Sequence, residues 1–145
     1  MRESLVRLGA MTDYLEIIKE RGSGALDKKM GIEILEASPR RLVGRMPVEG
    51  NTQPVGLLHG GANVVLAESL GSIGTQLHAG PDRRIVGVDI NATHHKSATE
   101  GFVTGVATAI SLGKTLCVYD IVITNEAGER TCTSRITCLI LAERN

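Results

Sequence analysis

The sequence predicts an α+β fold in which one long helix packs against an antiparallel sheet. Residues 60–77 are mainly apolar and carry one ionisable side chain, that of Glu68. Four runs rich in β-branched residues follow, joined by short segments of turn-forming residues. Consecutive strands with such short links form an antiparallel meander, and one apolar helix against a meander is an α+β arrangement.

Length and charge limit the class of protein. A chain of 145 residues is expected to form one domain, residues 1–145, with a helical lead-in over residues 1–30. Lysine plus arginine and aspartate plus glutamate both number 16, and the aromatic residues are Tyr14, Phe102 and Tyr119. Nucleic-acid binding requires a basic surface and often aromatic stacking platforms, so no nucleic-acid partner is expected.

Export and membrane insertion are not predicted either. The first residues lack the apolar core of a signal peptide, and no run supplies the roughly 20 apolar residues of a membrane span. Cys132 and Cys138 stand six positions apart on one predicted strand, about 20 Å in extended chain, which is too far for a disulfide. With Cys117 the number of cysteines is odd, so the sequence favours a reduced, cytoplasmic protein without a membrane partner.

The elements before the long helix are short. Residues 12–20 place apolar side chains among charges and suit an amphipathic helix, which the glycines of residues 21–24 end. Two strands are expected over residues 32–36 and 41–48, on either side of a serine-proline turn. The polar stretch that follows, up to Gln53, is expected to be a loop.

The long helix is expected to run from Gly60 or Gly61 to about residue 78, where a glycine and a proline stop it. Gly71 and Gly74 lie inside it, and each lowers helix propensity by about 1 kcal/mol relative to alanine. This cost predicts that something packs closely against the helix, whether a sheet, a ligand or another subunit. The later strands are expected over residues 84–95, 102–110, 116–124 and 131–141.

Glu68 is the chemical focus of the helix. A carboxylate in apolar surroundings is costly unless it is paired, hydrogen-bonded or neutralised. Residues three and four positions apart share a helix face, so Gly61, Val64 or Val65, Glu68 and Ser72 form one stripe. The first N–H groups of a helix lack internal partners, and glycines leave them open. The start of the helix is therefore a candidate oxyanion site, roughly 10 Å from the carboxylate.

The helix pattern alone leaves other interpretations open. Glu68 is equally well explained as a solvated helix residue or as a buried one paired with an arginine. Taken alone, Ser72 is more typical of a hydroxyl on a helix surface, Gln53 of a loop amide, and His59 of a capping or packing residue.

Two segments together carry a resemblance to a known family. Residues 53–61, QPVGLLHGG, and residues 66–69, LAES, are similar to motifs of the hot-dog-fold acyl-CoA thioesterases. The chain most resembles the branch that contains the Arthrobacter-type 4-hydroxybenzoyl-CoA thioesterase, the phenylacetate-pathway thioesterases and the 1,4-dihydroxy-2-naphthoyl-CoA hydrolases. The resemblance covers residues 31–141, and the spacing between His-Gly-Gly and Ala-Glu is its most specific part.

The resemblance implies a fold and a reaction. The helix would be wrapped by an antiparallel sheet of five or six strands. The enzyme would hydrolyse an acyl-CoA, with an aromatic or medium-size acyl group, to the free acid and CoA. The backbone N–H of Gly60 would polarise the thioester carbonyl, with Glu68 as nucleophile or general base. Gln53 and His59 match supporting positions, and Ser72 matches a hydroxyl position that holds the substrate or the attacking water.

The resemblance also implies positions that bind the substrate. They add to Gly61, Val64 and Val65, which helix geometry already places on the stripe along which a substrate is expected to lie. His94 would reach the acyl pocket from a strand, and Lys114, on a hairpin that borders the CoA channel, would meet a phosphate.

An assembly follows from the same resemblance. The site of this family lies between two subunits, with Glu68 from one chain and Gln53 with the Gly60 loop from the other. A homodimer with shared sites, doubled to a homotetramer, is therefore implied. A thioester is already activated for acyl transfer, so a donor and one carboxylate suffice. No metal is expected, and no cofactor beyond the CoA of the substrate.

Two motifs are rejected, and two other functions are kept as alternatives. Residues 113–115, Gly-Lys-Thr, resemble the end of a phosphate-binding loop, but Thr108 stands where that motif requires glycine. His94 and His95 are neighbours on a strand and point to opposite faces, so they are not expected to chelate one metal ion. A hot-dog hydratase or dehydratase and a non-catalytic acyl-CoA sensor remain the alternatives, and Glu68 favours hydrolysis over both.

Overall fold

One sheet surrounds one long helix. The computed structural model describes residues 12–143. Helix α3 packs against strands β2 to β6, so the expected α+β architecture, with an antiparallel sheet of six strands, is confirmed. The elements are α1 (Tyr14–Arg21), α2 (Ala25–Met30), β1 (Glu33–Ala37), β2 (Arg41–Pro47), α3 (Gly60–Ala79), β3 (Ile85–His94), β4 (Phe102–Leu112), β5 (Leu116–Thr124) and β6 (Arg130–Ile140).

The order of the strands in the sheet is β1-β2-β4-β5-β6-β3, and neighbouring strands are antiparallel. Strands β4, β5 and β6 form the expected meander. The expectation that β3 belongs to the same meander is wrong, because β3 pairs with β6, from Ile85↔Ile140 to His94↔Cys132. Strand β3 follows α3 and stays in contact with it. It therefore occupies the sheet edge beside β6, and residues 95–101 return the chain to β4.

The core lies between α3 and the inner face of the sheet. Burial alternates along β4, β5 and β6, as in strands with one solvated face. Leu66 and Leu70 of α3 are completely buried, and each such leucine contributes roughly 1.5–3 kcal/mol relative to an exposed one. Two strand glycines allow this close approach: a Cβ at Gly44 or at Gly105 would lie 2.9 Å from a methyl carbon of Leu70.

The two glycines inside α3 also face the sheet. A Cβ at Gly71 would overlap Cγ2 of Ile136 on β6, and a Cβ at Gly74 would lie 2.6 Å from the hydroxyl oxygen of Tyr119 on β5. Tyr119 is completely buried, and its hydroxyl donates to the backbone carbonyl of Pro39 at 2.5 Å. The sheet is therefore the close partner that these glycines predict.

Replacing Gly71 by alanine is expected to destabilise the fold by about 2 kcal/mol, the upper cost of overpacking less the gain in helix propensity. The added methyl overlaps a branched carbon of Ile136 on a paired strand, which cannot simply swing away. Urea denaturation followed by circular dichroism measures the change. In the double variant with Ile136→Ala, the loss should be smaller than the sum of the two single losses. Strictly additive losses would show that the two side chains do not compete for space.

Two short N-terminal helices take the place of the single helix expected over residues 12–20. Helix α1 begins at Tyr14, because Asp13 is its N-cap and accepts a hydrogen bond from the N–H of Glu16 at 3.0 Å. The sequence pattern does not place α2 as a separate helix, since six residues are too few to show a period. A tertiary contact holds it: the hydroxyl of Ser69 on α3 donates to the carboxylate of Asp27 at 2.7 Å.

The lead-in expected over residues 1–30 is described only in part, since residues 1–11 lie outside the described residues. Within residues 12–143, no helix combines the length and the apolar character that crossing a bilayer requires.

Candidate active site

The start of α3 presents one free backbone donor. His59 is the N-cap, and its Nδ1 accepts a hydrogen bond from the N–H of Gly61 at 2.8 Å. The expectation that both glycine N–H groups are open is therefore wrong for Gly61. The N–H of Gly60 donates to no acceptor within residues 12–143. The partial positive charge of the helix end reinforces this donor as a site for an oxyanion.

His94, the last residue of β3, lies against this helix end. A Cβ at Gly60 would lie 2.9 Å from Nε2 of His94, so glycine leaves the room that the ring occupies. Nδ1 of the same ring lies 3.4 Å from Nδ2 of Asn63, in the first turn of α3. Nε2 of His94 is the ring nitrogen nearest Gly60, and the donor and acceptor roles in the contact with Asn63 depend on the tautomer of the ring.

Asn63 lies in this region, although no sequence motif predicted a role for it. Its side chain is buried, with 4% exposed, and its Oδ1 has no hydrogen-bond partner among the described residues. An unsatisfied buried carbonyl oxygen costs about 1–3 kcal/mol, so a ligand or water that donates here is bound favourably. The available signal was a polar amide inside an apolar run, the same kind of signal that singles out Glu68.

Gln53 is held by a tight turn before the helix. Its N–H donates to the carbonyl of Leu57 at 2.8 Å, and its carbonyl accepts from the N–H of Gly56 at 3.0 Å. Gly56 has a φ of 84°, a conformation that favours glycine. The side-chain Oε1 accepts from the N–H of Val55. The amide NH₂ of Gln53 is therefore the part of this side chain that remains to donate to a ligand.

The stripe expected from helix geometry lies at the margin of the core, against which Val65 packs. Gly61 is exposed, and Val64, Val65, Glu68 and Ser72 are only partly buried. The residues of α3 that face the sheet are fully buried instead. The stripe therefore occupies the less buried side of α3, where Glu68 lies beside β3.

The carboxylate of Glu68 has no partner in the described part of the chain. All four salt bridges among residues 12–143 join other, exposed side chains, and no hydrogen bond reaches this group. The arginine-paired interpretation therefore does not hold there. Oε1 of Glu68 lies over the backbone of β3, where a Cβ at Gly87 would be 2.7 Å away. The carboxylate is therefore available to a ligand on this side of the helix.

The cysteines beneath this face are not nucleophiles. Burial raises the pKa of Cys138; hydrogen bonds with Thr75 and Ser72 oppose that shift, and the charge of Glu68 adds to it. Burial likewise raises the pKa values of the other two cysteines, which are free. A thiol that stays protonated at neutral pH is a poor nucleophile. Glu68 is therefore the better candidate for acyl chemistry.

Gly60 and Glu68 do not meet within one chain. They are eight positions apart on α3, or about 12 Å along the helix axis, so they cannot act on the same carbonyl.

Lys114 lies even farther from Gly60 than Glu68 does. Nε2 of His78 lies 2.8 Å from the carbonyl oxygen of Gly113. The β4–β5 hairpin is therefore at the C-terminal end of α3, about 27 Å from its start.

The neighbouring histidines diverge. Nε2 of His95 lies 2.8 Å from the hydroxyl of Thr133, whereas His94 faces Asn63. The two rings therefore point apart, as adjacent residues of an extended chain do. Among the side chains of residues 12–143, no group of three or more His, Cys, Asp or Glu is placed to hold a metal ion.

Comparisons with known proteins identify the family. The sequence model of the family described as "Thioesterase superfamily" matches residues 55–132. The 1,4-dihydroxy-2-naphthoyl-CoA hydrolase of Escherichia coli is 42% identical over 128 residues, which are 88% of this chain and 94% of that protein. The proofreading thioesterase EntH of Cronobacter turicensis is 39% identical over 128 residues, 88% of this chain and 93% of that protein.

Solved structures agree with the sequence relatives. A mutant of thioesterase PA1618 from Pseudomonas aeruginosa superimposes with a TM-score of 0.83 at 36% identity, covering 91% of this chain and 96% of that one. Thioesterase HI1161 from Haemophilus influenzae gives a TM-score of 0.82 at 36% identity, covering 91% and 92%. The resemblance read from the motifs is confirmed. The chain belongs to the thioesterase superfamily, and it is a thioester hydrolase with the hot-dog fold.

Proposed function

We propose that the protein hydrolyses an acyl-CoA, with an aromatic or medium-size acyl group, to the free acid and CoA. The observation that carries this proposal is the pair of unsatisfied groups on α3, the carboxylate of Glu68 and the N–H of Gly60. One is a base or nucleophile and the other an oxyanion donor, which are the two functions that acyl transfer requires. The name of the Escherichia coli relative, a CoA hydrolase, supports a CoA ester.

The proposed reaction begins at the thioester carbonyl. The N–H of Gly60 donates to the carbonyl oxygen and stabilises the negative charge that develops there. Glu68 either takes a proton from water, which adds to the carbon, or adds to the carbon itself and forms a mixed anhydride that water opens. In both routes the carbon–sulfur bond breaks, CoA leaves as the thiolate and the acid is released. Neither route requires a metal or a further cofactor.

Four side chains have proposed supporting roles. The amide NH₂ of Gln53 donates to the thioester, and His59 orders the loop that carries the backbone donor. Ser72, one turn after Glu68, holds the substrate or the attacking water. His94, whose Nε2 lies nearest Gly60, reaches the acyl pocket.

Two chains would build each site. Because Gly60 and Glu68 are about 12 Å apart along one helix, the donor and the carboxylate at one carbonyl come from different copies. One protomer supplies Glu68, and its partner supplies Gln53 and the Gly60 loop. The edge position of β3, with Val86 and Val88 exposed, supports a second copy at this edge. A homodimer of this kind, doubled to a homotetramer, is part of the proposal.

The remaining expected residues fit the same assembly. Gly61, Val64 and Val65 line the substrate channel along the outer face of α3. Lys114, distant from the donor of its own chain, meets a CoA phosphate at a site shared with the partner. We place the reaction in the cytoplasm, which agrees with the free cysteines.

A complementation experiment tests the shared site. Glu68→Gln removes the acting carboxylate and Gly60→Pro removes the donor, so each variant alone is expected to be nearly inactive. When the two are co-expressed, half of the dimers are mixed and each mixed dimer keeps one intact site. Recovery of about a quarter of the wild-type activity is therefore expected for symmetric dimers. A site built within one chain would recover nothing.

Thiol release from a panel of acyl-CoAs, including benzoyl-CoA and octanoyl-CoA, tests the reaction itself. Release of CoA from members of the panel supports hydrolysis. Binding of acyl-CoA without release of any thiol would favour the sensor alternative. Hydration of a 2-enoyl-CoA without thiol release would favour the hydratase.

A further inference from the structure

A large cavity adjoins the face of α3 that carries Glu68. It lies between α1, α2, β1 and the C-terminal half of α3, and its volume is about 860 Å³, which is typical of small-molecule sites. Along α3 its lining begins at Ser72 and continues through Leu77 to Gly80. Ser72 therefore belongs both to the stripe that carries the carboxylate and to the wall of the cavity.

The walls of the cavity are mainly aliphatic. Tyr14 is the aromatic residue of the lining. Of its three charged residues, Arg21 and Asp27 are engaged by Gln76 and Ser69 respectively, and Glu20 is exposed to solvent. The cavity therefore suits an uncharged, flexible alkyl group better than a charged acyl group. Six isoleucines line it: Ile17, Ile18, Ile32, Ile34, Ile73 and Ile85.

The length of the cavity matches an alkyl chain. From Ser72 to Gly80 the lining spans eight positions, about 12 Å at the rise of a helix. An extended alkyl chain advances about 1.25 Å per carbon, from the geometry of single carbon–carbon bonds. An acyl chain of about eight to ten carbons fills this length, whereas a single aromatic ring leaves part of it empty.

We infer that this cavity binds the acyl chain, and that the enzyme prefers straight aliphatic acyl groups of about eight to ten carbons over aromatic ones. The inference rests on the proposed function, because it takes the thioester carbonyl to lie at Glu68. A chain that leaves this carbonyl towards the C-terminal end of α3 passes Ser72 and enters the cavity.

A chain-length series measures the preference. Each methylene moved from water into apolar surroundings contributes about fourfold to binding. The value of kcat/KM should therefore rise at least about tenfold from butyryl-CoA to octanoyl-CoA, even with partial burial. Benzoyl-CoA should fall below octanoyl-CoA.

Cavity-filling variants locate the chain. Ile73→Phe narrows the cavity beside Ser72, and Ile17→Phe does so from α1, where the residue is 44% exposed and the fold is not at risk. Both should lower kcat/KM for decanoyl-CoA at least about tenfold and leave butyryl-CoA almost unchanged. Leu35→Phe is the matched control. It lies next to Ile34 on β1, is 42% exposed and does not line the cavity.

The outcomes separate the two proposals. No thiol release from any acyl-CoA would overturn the proposed function and this inference with it. Hydrolysis with a flat chain-length profile that neither phenylalanine variant alters would overturn this inference alone. If the variants change the mass of the assembly in light scattering but not the profile, a second copy of the chain covers the cavity, and the inference fails as well.

Discussion

Replacing Glu68 by alanine is expected to lower kcat at least about 100-fold, the scale of losing a general base. The carboxylate has no ion pair or hydrogen bond within residues 12–143, so its removal leaves no described partner unsatisfied. The loss should appear in kcat and little in KM, because the group acts on the reacting carbon and not on the CoA. Steady-state thiol release measures both constants.

Two further variants make that result specific. Glu68→Gln keeps the size of the side chain and removes its basicity, so it should be as inactive as the alanine variant. Glu36→Ala removes an exposed carboxylate that pairs with Arg41, and it should turn over like the wild type. Wild-type turnover in Glu68→Ala would contradict the role assigned to this residue.

Replacing Gly60 by proline is expected to lower kcat by about 100- to 1000-fold relative to Gly60→Ala, the cost of one oxyanion donor. Gly60 is the first residue of α3, where proline is well tolerated and its missing N–H breaks no helical hydrogen bond. His59 before it has φ −63° and ψ 130°, the extended conformation that precedes proline. The substitution therefore deletes the donor and keeps the helix.

The alanine variant is the matched control for this experiment. Both substitutions add a Cβ, which at position 60 would lie 2.9 Å from Nε2 of His94, so both displace that ring. Only proline removes the N–H. Far-UV circular dichroism and Tm check that α3 persists in both. Equal kcat values for the two variants would show that the Gly60 donor does not stabilise the transition state.

The bounds of the long helix and the face that carries Glu68 could be predicted from features that are local in the sequence. Helix α3 was expected from Gly60 or Gly61 to about residue 78 and spans Gly60–Ala79, because a capping residue and a Gly-Pro pair bound it. The helical repeat alone places Glu68 and Ser72 on one face. The glycines inside α3 lower helix propensity, and this cost predicted that another part of the structure packs closely against the helix. That part is the sheet.

Features that depend on distant parts of the chain were not predictable. The place of β3 in the sheet is decided by contacts with α3 and β6, not by which strand follows it. The N–H of Gly61 is not free, because it donates to Nδ1 of His59. This hydrogen bond requires one orientation of the His59 ring, and no sequence pattern specifies that orientation. Asn63 and His94 meet across 31 positions of sequence, so only the folded chain shows that they form one unit.

The missing side chain at Gly87 has a consequence for how this enzyme can evolve. Any other residue there would place its Cβ 2.7 Å from Oε1 of Glu68. The fold would tolerate such a change, because the end of a glutamate side chain moves at little cost, but the carboxylate would leave its position over β3. With the role proposed for Glu68, a substitution at position 87 is therefore expected to lower activity more than stability.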